Sequence, residues 1–515
     1  MLALLLLACG PAEPPAPDLP EEGVPARREN RTAHIPPACY AETAPTGRNP
    51  CFACHVRGRS PNYLNDTDLQ VLRAFPRDAR TNPWTNLFAD RSAAIAEGGV
   101  AVEVSNYLDG TRNLLADALP AGWAGWVPDV AYALDAAGFD RDPEGRPTGW
   151  RAYRYAPMPG FWPSNGAVGD ALIRLPAPFR QADGQDDLDV YALNLAVVEA
   201  LVTRDPVDVP PQDEAALGVD LDGDGTLGEA RQVVPRRGLG YVGDARGLPA
   251  APGLYPEGTE LAHSLRYLQV DGDAVGPAPR MRELRYMRKA RWLGAGALEE
   301  AALAEAREAQ AFPDRVEAPQ GDGERGMGNG VGWLLSGFIE DADGALRPQT
   351  DEETAFCTGC HGGVGVTTDS AFSFSRKLPG EAGWAWQLDP EAAPIPEPVR
   401  GDGQGEYRLW LERAGAADDF AANAELADRL LDAQGRVRPE HAEVLAADPL
   451  SLMWPSPERA QALNAVVDAV VQEQGFTAGR DPVWGLSDQQ AVRSAELDTP
   501  TGAVAVGPAW IRVRP

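Results

Sequence analysis

The sequence predicts a mixed α+β fold with much irregular loop structure. Three observations lead there. Helix-period stretches and strand-like stretches both occur, with no repeating unit. Residues 117–179 are dense in aromatics, proline and glycine (Trp123, Trp126, Trp150, Tyr153, Tyr155, Phe161, Trp162), which suits irregular packing over a flat apolar surface or an aromatic core. Two Cys-x-x-Cys-His pentapeptides stand about 300 residues apart, too far for a tandem of small helical modules built one per motif. At 515 residues, 44% hydrophobic and with 13 tryptophans, the chain can bury a substantial core in two or three domains.

Taken in order, residues 1–9 read as the end of a signal peptide. The apolar run Met1-Leu-Ala-Leu-Leu-Leu-Leu-Ala-Cys9 is too short to span a bilayer. Residues 10–33 are rich in proline and acidic side chains and read as an extended tether. A first region, 34–215, carries the first pentapeptide, helical stretches at 66–75 and 83–97, and a helix at 189–204 with Val190, Leu193, Val197 and Leu201 close to one face. A middle region, 216–330, holds an Asp-rich loop and an ambiguous stretch at 261–270. As a strand, that stretch puts Leu261, His263, Leu265 and Tyr267 on one face; as a helix it leaves His263 beside the apolar stripe. Residues 281–292 are basic and read as helical, and 295–312 as an Ala/Glu helix. The last region, 331–515, opens with a strand at 331–339 and a turn at Asp343-Gly344. It places the second pentapeptide on an irregular glycine-rich stretch, and ends with a helix at 457–475 and a strand at 502–513. Asp341-Ala-Asp-Gly-Ala-Leu-Arg-Pro348 is echoed by Asp432-Ala-Gln-Gly-Arg-Val-Arg-Pro439, which points to shared turn chemistry.

The pentapeptides carry the chemistry. Cys51-Phe52-Ala53-Cys54-His55 and Cys357-Thr358-Gly359-Cys360-His361 each offer two thiols at the spacing of the porphyrin vinyls, then an imidazole placed to bind iron. Two Cys-x-x-Cys pairs also suit a zinc site, but zinc does not require histidine directly after the second cysteine. With five histidines in the chain, two such placements by chance have odds of roughly one in ten thousand. At these motifs the chain resembles the c-type cytochromes, and its layout resembles exported bacterial dihaem cytochrome c lipoproteins. That resemblance implies two covalent haems c, a haem-binding body elaborated beyond a simple cytochrome c fold, and electron transfer. The alternative it leaves open is a dihaem oxidoreductase, peroxidase- or oxidase-like, with one open haem. Leu6-Leu7-Ala8-Cys9 resembles a lipobox, which implies acylation at Cys9 and attachment in the periplasm or at the outer membrane.

His55 and His361 are the expected proximal iron ligands. The residues opposite them decide between carrier and catalyst. Candidates are His34, His263 and His441, Met158, Met281, Met287, Met327 and Met453, and the thiol of Cys39. His263 is a candidate distal ligand, to the iron of His361 rather than that of His55; a core histidine hydrogen-bonded to a neighbour is the alternative. Asp220, Asp222 and Asp224 form Asp-x-Asp-x-Asp-Gly, the first half of a calcium loop, although Arg231 stands where its closing glutamate belongs. A plain acidic turn is the alternative. The net charge of −30 and pI near 4.6 argue against nucleic acid and against adhesion to an anionic membrane; the acidity suits either solubility of an exported protein or steering of a basic redox partner.

Overall fold

The computed structural model describes residues 35–40, 61, 81–96, 119–312, 318–362, 367–400, 403–418 and 422–480. The fold is mixed: one large antiparallel sheet, several helices and long loops. Its strands are β1 (Phe139–Arg141), β2 (Pro147–Ala152), β3 (Val168–Gly169), β4 (Leu172–Arg174), then two small hairpins, β5 (Gln181–Ala182) with β6 (Gln185–Asp186) and β7 (Val207–Asp213) with β8 (Glu229–Val233). The long strands follow: β9 (Glu260–Asp271), β10 (Ala274–Lys289), β11 (Gln320–Asp322), β12 (Gly326–Gly328), β13 (Trp333–Glu340) and β14 (Leu346–Pro348). The large sheet runs β1-β2-β4-β9-β10-β13-β12-β11, with β3 on β9 and β14 on β13. It takes strands from all three regions drawn from the sequence.

Register sorts the side chains of the central hairpin. Arg285 pairs with His263, Met287 with Leu261 and Leu335, and Lys289 with Trp333, so these residues share one face. Leu284 pairs with Ser264 and Phe338, and Tyr286 with Ala262, on the other face. There Trp126 stacks on Tyr286 at 4.2 Å between ring centroids and packs edge-on to Trp150, which accounts for part of the aromatic segment. Leu261, Met287, Trp333 and Leu335 of the first face belong to one apolar cluster with α1 (Leu188–Thr203), which is buried nearly all round. Both faces of the hairpin are therefore buried.

That burial corrects the expectation of a helix at 281–292. The stretch is the end of β10. Of its arginines, Arg282 is buried, Arg285 is half-buried and paired with Glu283 at 2.7 Å, and Arg288 is exposed. Elsewhere α2 (Ala295–Ala311), α3 (Asp351–His361) and α4 (Pro457–Glu473) are helices, the first and last close to where the apolar period put them. The expected helix at 83–97 is only a 3-10 turn, Thr85–Phe88, and a short helix, Ser92–Ala96. The echoed Asp-x-x-Gly segments are the same turn: Asp341 Oδ1 accepts from the N–H groups of Asp343 and Ala345, and Asp432 Oδ1 from those of Gln434 and Arg436. A third copy, at Asp142, accepts from Glu144 and Arg146. The expected helix at 66–75 and strand at 502–513 lie outside the described residues. No helix among them is long and apolar enough to cross a membrane.

Candidate functional site

The second pentapeptide is helical, not irregular. It forms the last turn of α3, Asp351–His361, so Gly359 sits inside a helix. The helix starts on a capping box. Thr350 Oγ1 accepts from Glu353 N–H at 3.3 Å, and Glu353 Oε2 accepts from Thr350 N–H at 2.8 Å. Asp351, Glu352 and Glu353 face the positive end of the dipole. Gln349 Nε2 donates to Glu283 Oε1 at 2.6 Å and fixes the entry to α3 on β10. A Cβ at Gly337 would lie 3.1 Å from the Gln349 side chain, so glycine there permits that approach.

Cys357 is 6% exposed, in the same apolar cluster as Leu261, Met287, Trp333 and Leu335. Burial pushes its thiol pKa up. Neither Cys357 nor Cys360 is in a disulfide. His361, half-buried, donates from Nδ1 to the Ser370 carbonyl at 2.8 Å, and its own carbonyl accepts from Asn329 Nδ2 at 3.0 Å. A carbonyl can only accept, so Nδ1 carries the hydrogen and Nε2 keeps the lone pair. Burial holds the His361 pKa down at about 4, against the help of Ser370, and the charges of Arg285 and His263 lower it further. The ring is neutral at pH 7.

The second histidine is His263. On β9 it lies directly across from Arg285. Its Nδ1 donates to the Asp170 carbonyl at 2.5 Å, so again the lone pair is on Nε2. A Cβ at Gly169 would collide with the His263 ring carbon Cε1, so the imidazole lies flush against β3. The Asp170 carboxylate is fully buried and accepts from Ser264 N–H at 3.0 Å, Ser264 Oγ at 2.8 Å and Trp386 Nε1 at 3.1 Å. Burial and the Arg285 charge hold the His263 pKa low. His263 and His361 are close enough for a charge on one to disfavour a charge on the other. The strand alternative for 261–270 is the one adopted.

Two neutral imidazoles thus sit near each other, each with Nδ1 tied to the main chain and Nε2 available. That is how proteins present histidines to a metal. Among the described residues the side chains of Cys357, Cys360 and His361 do not converge within 4.8 Å, as three ligands of one zinc must. The site therefore offers two thiols on α3 and two imidazole Nε2 atoms as donors. A charged cluster borders it. Glu283 is shared by Arg285 and Arg480, and Arg480 lies 4.6 Å from the centroid of the Phe356 ring on α3.

The other expected residues fare differently. Cys51, Cys54 and His55, together with Cys9 and His34, lie outside the described residues. Cys39 packs beside Tyr40, Trp84 and Phe356 and is in no disulfide. His441 Nε2 lies 3.1 Å from the Arg429 carbonyl, at the surface. Met158, Met281, Met287, Met327 and Met453 are all buried, Met287 in the cluster of Cys357. In the Asp-rich loop, Asp220 and Asp222 come together with Glu214, their ligand atoms all within 4.8 Å. Asp224 does not join them; its Oδ1 accepts from Thr226 N–H and Oγ1 at 2.7 and 2.8 Å. Buried Glu214 also accepts from Leu221 N–H at 2.6 Å and Gly228 N–H at 2.9 Å, so it stands inside the loop.

Sequence reasoning missed Ser370 and Asp170, whose carbonyls orient the two histidines. Main-chain acceptors leave no residue-type signal. It missed Arg285 because its stretch was read as a helix, and Glu214 because it precedes the motif.

Comparison with known proteins agrees with the N-terminal reading. A family model for lipoproteins matches residues 74–449. An uncharacterized lipoprotein of Aquifex aeolicus (strain VF5) is 30% identical over 546 residues, covering 93% of this chain and 90% of that protein. No solved structure matches the chain. The chain belongs to this lipoprotein family.

Proposed function

We propose that this lipoprotein is an exported, membrane-anchored dihaem c-type cytochrome that transfers electrons. The observation that supports it best is the pairing of His361, the last residue of Cys-Thr-Gly-Cys-His, with His263, both presenting Nε2. In this reading Cys357 and Cys360 would hold the second haem covalently, His361 and His263 would bind its iron, and Cys51, Cys54 and His55 would hold the first. When bound, haem supplies a one-electron ferric/ferrous couple. The chain's own part is to fix both imidazoles and to keep the surroundings apolar. Leu261, Met287 and Leu335 do the latter. Cys9 is the acylated residue, and the family supports an anchor of that kind. The net charge of −30 suits a basic redox partner.

A second reading has one observation of its own. Arg285 stands across the strand pair from His263. Were the iron of His361 open, the two would form a distal imidazole–guanidinium pair suited to acid–base work in a peroxidase-like enzyme. One experiment separates the readings. Protein matured with haem-attachment machinery should carry two haems by intact mass and by reduced pyridine haemochrome. Its ferric spectrum should be low-spin and insensitive to cyanide, and His263→Ala should turn part of it high-spin and cyanide-reactive. Wild-type protein that binds cyanide and reacts with peroxide would favour the enzyme. Zinc without haem would end both.

A further inference from the structure

The carbonyl that orients His361 belongs to a turn that L-residues rarely adopt. Asp369 and Ser370 are consecutive non-glycine residues at φ 49° and 65°, in the left-handed region. Such residues persist only where their surroundings over-determine them. Here Lys289 Nζ meets Asp369 Oδ1 at 2.5 Å, Tyr255 N–H donates to Asp369 Oδ2 at 3.0 Å, and Thr368 and Ala371 exchange main-chain hydrogen bonds of 2.7 and 3.1 Å across the turn. The Lys289 and Asp369 side chains are both 0% exposed. Buried ion pairs gain little over apolar residues of the same shape, so stability alone does not account for this one. Its position does. Lys289 ends β10 on the face that carries Arg285, and Asp369 immediately precedes Ser370, whose carbonyl accepts from His361 Nδ1 at 2.8 Å.

We propose that the Lys289–Asp369 pair is a positioning device for the proximal histidine: it fixes the Ser370 carbonyl and thereby sets the orientation and basicity of His361. The proposal rests on the haem reading above. A hydrogen bond from Nδ1 strengthens the imidazole as a ligand and favours ferric iron. Loosening the turn should therefore raise the potential of the haem on His361 and leave the other haem alone.

Single substitutions also change the local charge, so the test uses a pair. Lys289→Met/Asp369→Leu removes no net charge. Expected are two haems per chain, an upward shift in the midpoint potential of one of them and, read in a His263→Ala background whose reduced haem is left five-coordinate, a weakened iron–histidine vibration in the resonance Raman spectrum. The control is Lys377→Met/Glu199→Leu, which removes an equally buried pair, 0% and 2% exposed, bonded to neither histidine among the described residues. It should leave both potentials in place. If the first double variant matches the control, losing stability with both potentials and the vibration native, the pair is only structural and the proposal fails. Should that variant not accumulate, Asp369→Glu keeps the charge and adds one methylene, and a native potential there overturns the proposal equally. A wild-type tryptic peptide spanning 357–361 without haem would instead overturn the underlying reading.

Discussion

Glu283 offers the sharpest test of how the site is held together. Its carboxylate is 3% exposed on β10. Burial alone would raise its pKa, but Arg285 at 2.7 Å and the ion pair with Arg480 outweigh burial and hold it down at about 2. The ordinary value is 4.5. The folded-state pKa is thus the lower one, and between the two values the unfolded chain binds the extra proton. The stabilisation is fully present above pH 4.5 and is lost as pH falls towards 2. A difference of about 2.5 units, at about 1.36 kcal/mol each, gives about 3 kcal/mol. Glu283→Gln removes the charge and leaves Arg480 and Arg285 without this carboxylate, at a cost of roughly 3–5 kcal/mol at pH 7. Urea midpoints of wild type and variant should differ widely at pH 7 and pH 5, and the gap should close between pH 4.5 and pH 2.5. A gap that is small at pH 7, or that stays constant down to pH 2.5, would refute the claim that an ionised Glu283 holds this cluster.

Cys357→Ala should cost one haem's worth of absorbance in the reduced pyridine haemochrome. Cys39→Ala should leave spectrum and potential unchanged, because the thiol packs with Trp84 and Phe356; a lost low-spin band would make it a ligand instead. Calcium should raise the melting temperature and a chelator lower it, with Glu214→Gln abolishing the response and Asp224→Asn sparing it. Asp220 is already paired with Arg236 at 3.0 Å, so the affinity should be modest, and equal effects of the two variants would dismiss the Glu214 assignment.

Much of this site was legible in the residues, for reasons that can be named. The pentapeptides stand out because the same Cys-x-x-Cys-His spacing occurs twice. His263 could be singled out because three histidines outside the motifs are few, and because alternation along 261–267 left its side chain on an apolar face. Where pattern failed, long-range pairing had overridden it. Residues 281–292 read as a surface helix only if Arg282 and Arg285 are assumed to seek water as the exposed Arg288 and Arg291 do. In the fold, Arg285 is absorbed by Glu283, and Lys289 by Asp369, 80 positions along the chain. The glycines of the second pentapeptide suggested irregular backbone, yet the Thr350–Glu353 capping box, visible in hindsight as Thr-x-x-Glu, starts a helix that runs through Gly359. The turn at Asp369-Ser370 left no signal, since its conformation is imposed by a lysine on another element.

The same pairings bear on whether His263 is a ligand or a base. An electron carrier gains from axial groups that hold one geometry in both oxidation states, since any rearrangement adds to the barrier. His263 is built that way. Gly169 walls one edge of its ring, the Asp170 carbonyl holds Nδ1, and the Asp170 carboxylate is fixed in turn by Ser264 and Trp386. A distal acid–base residue must instead exchange protons with a small bound substrate at neutral pH, and burial and Arg285 push the His263 pKa down, away from that range. Arg285 itself is committed to Glu283. Of the two roles proposed for His263, the ligand held in one orientation is the one these contacts favour.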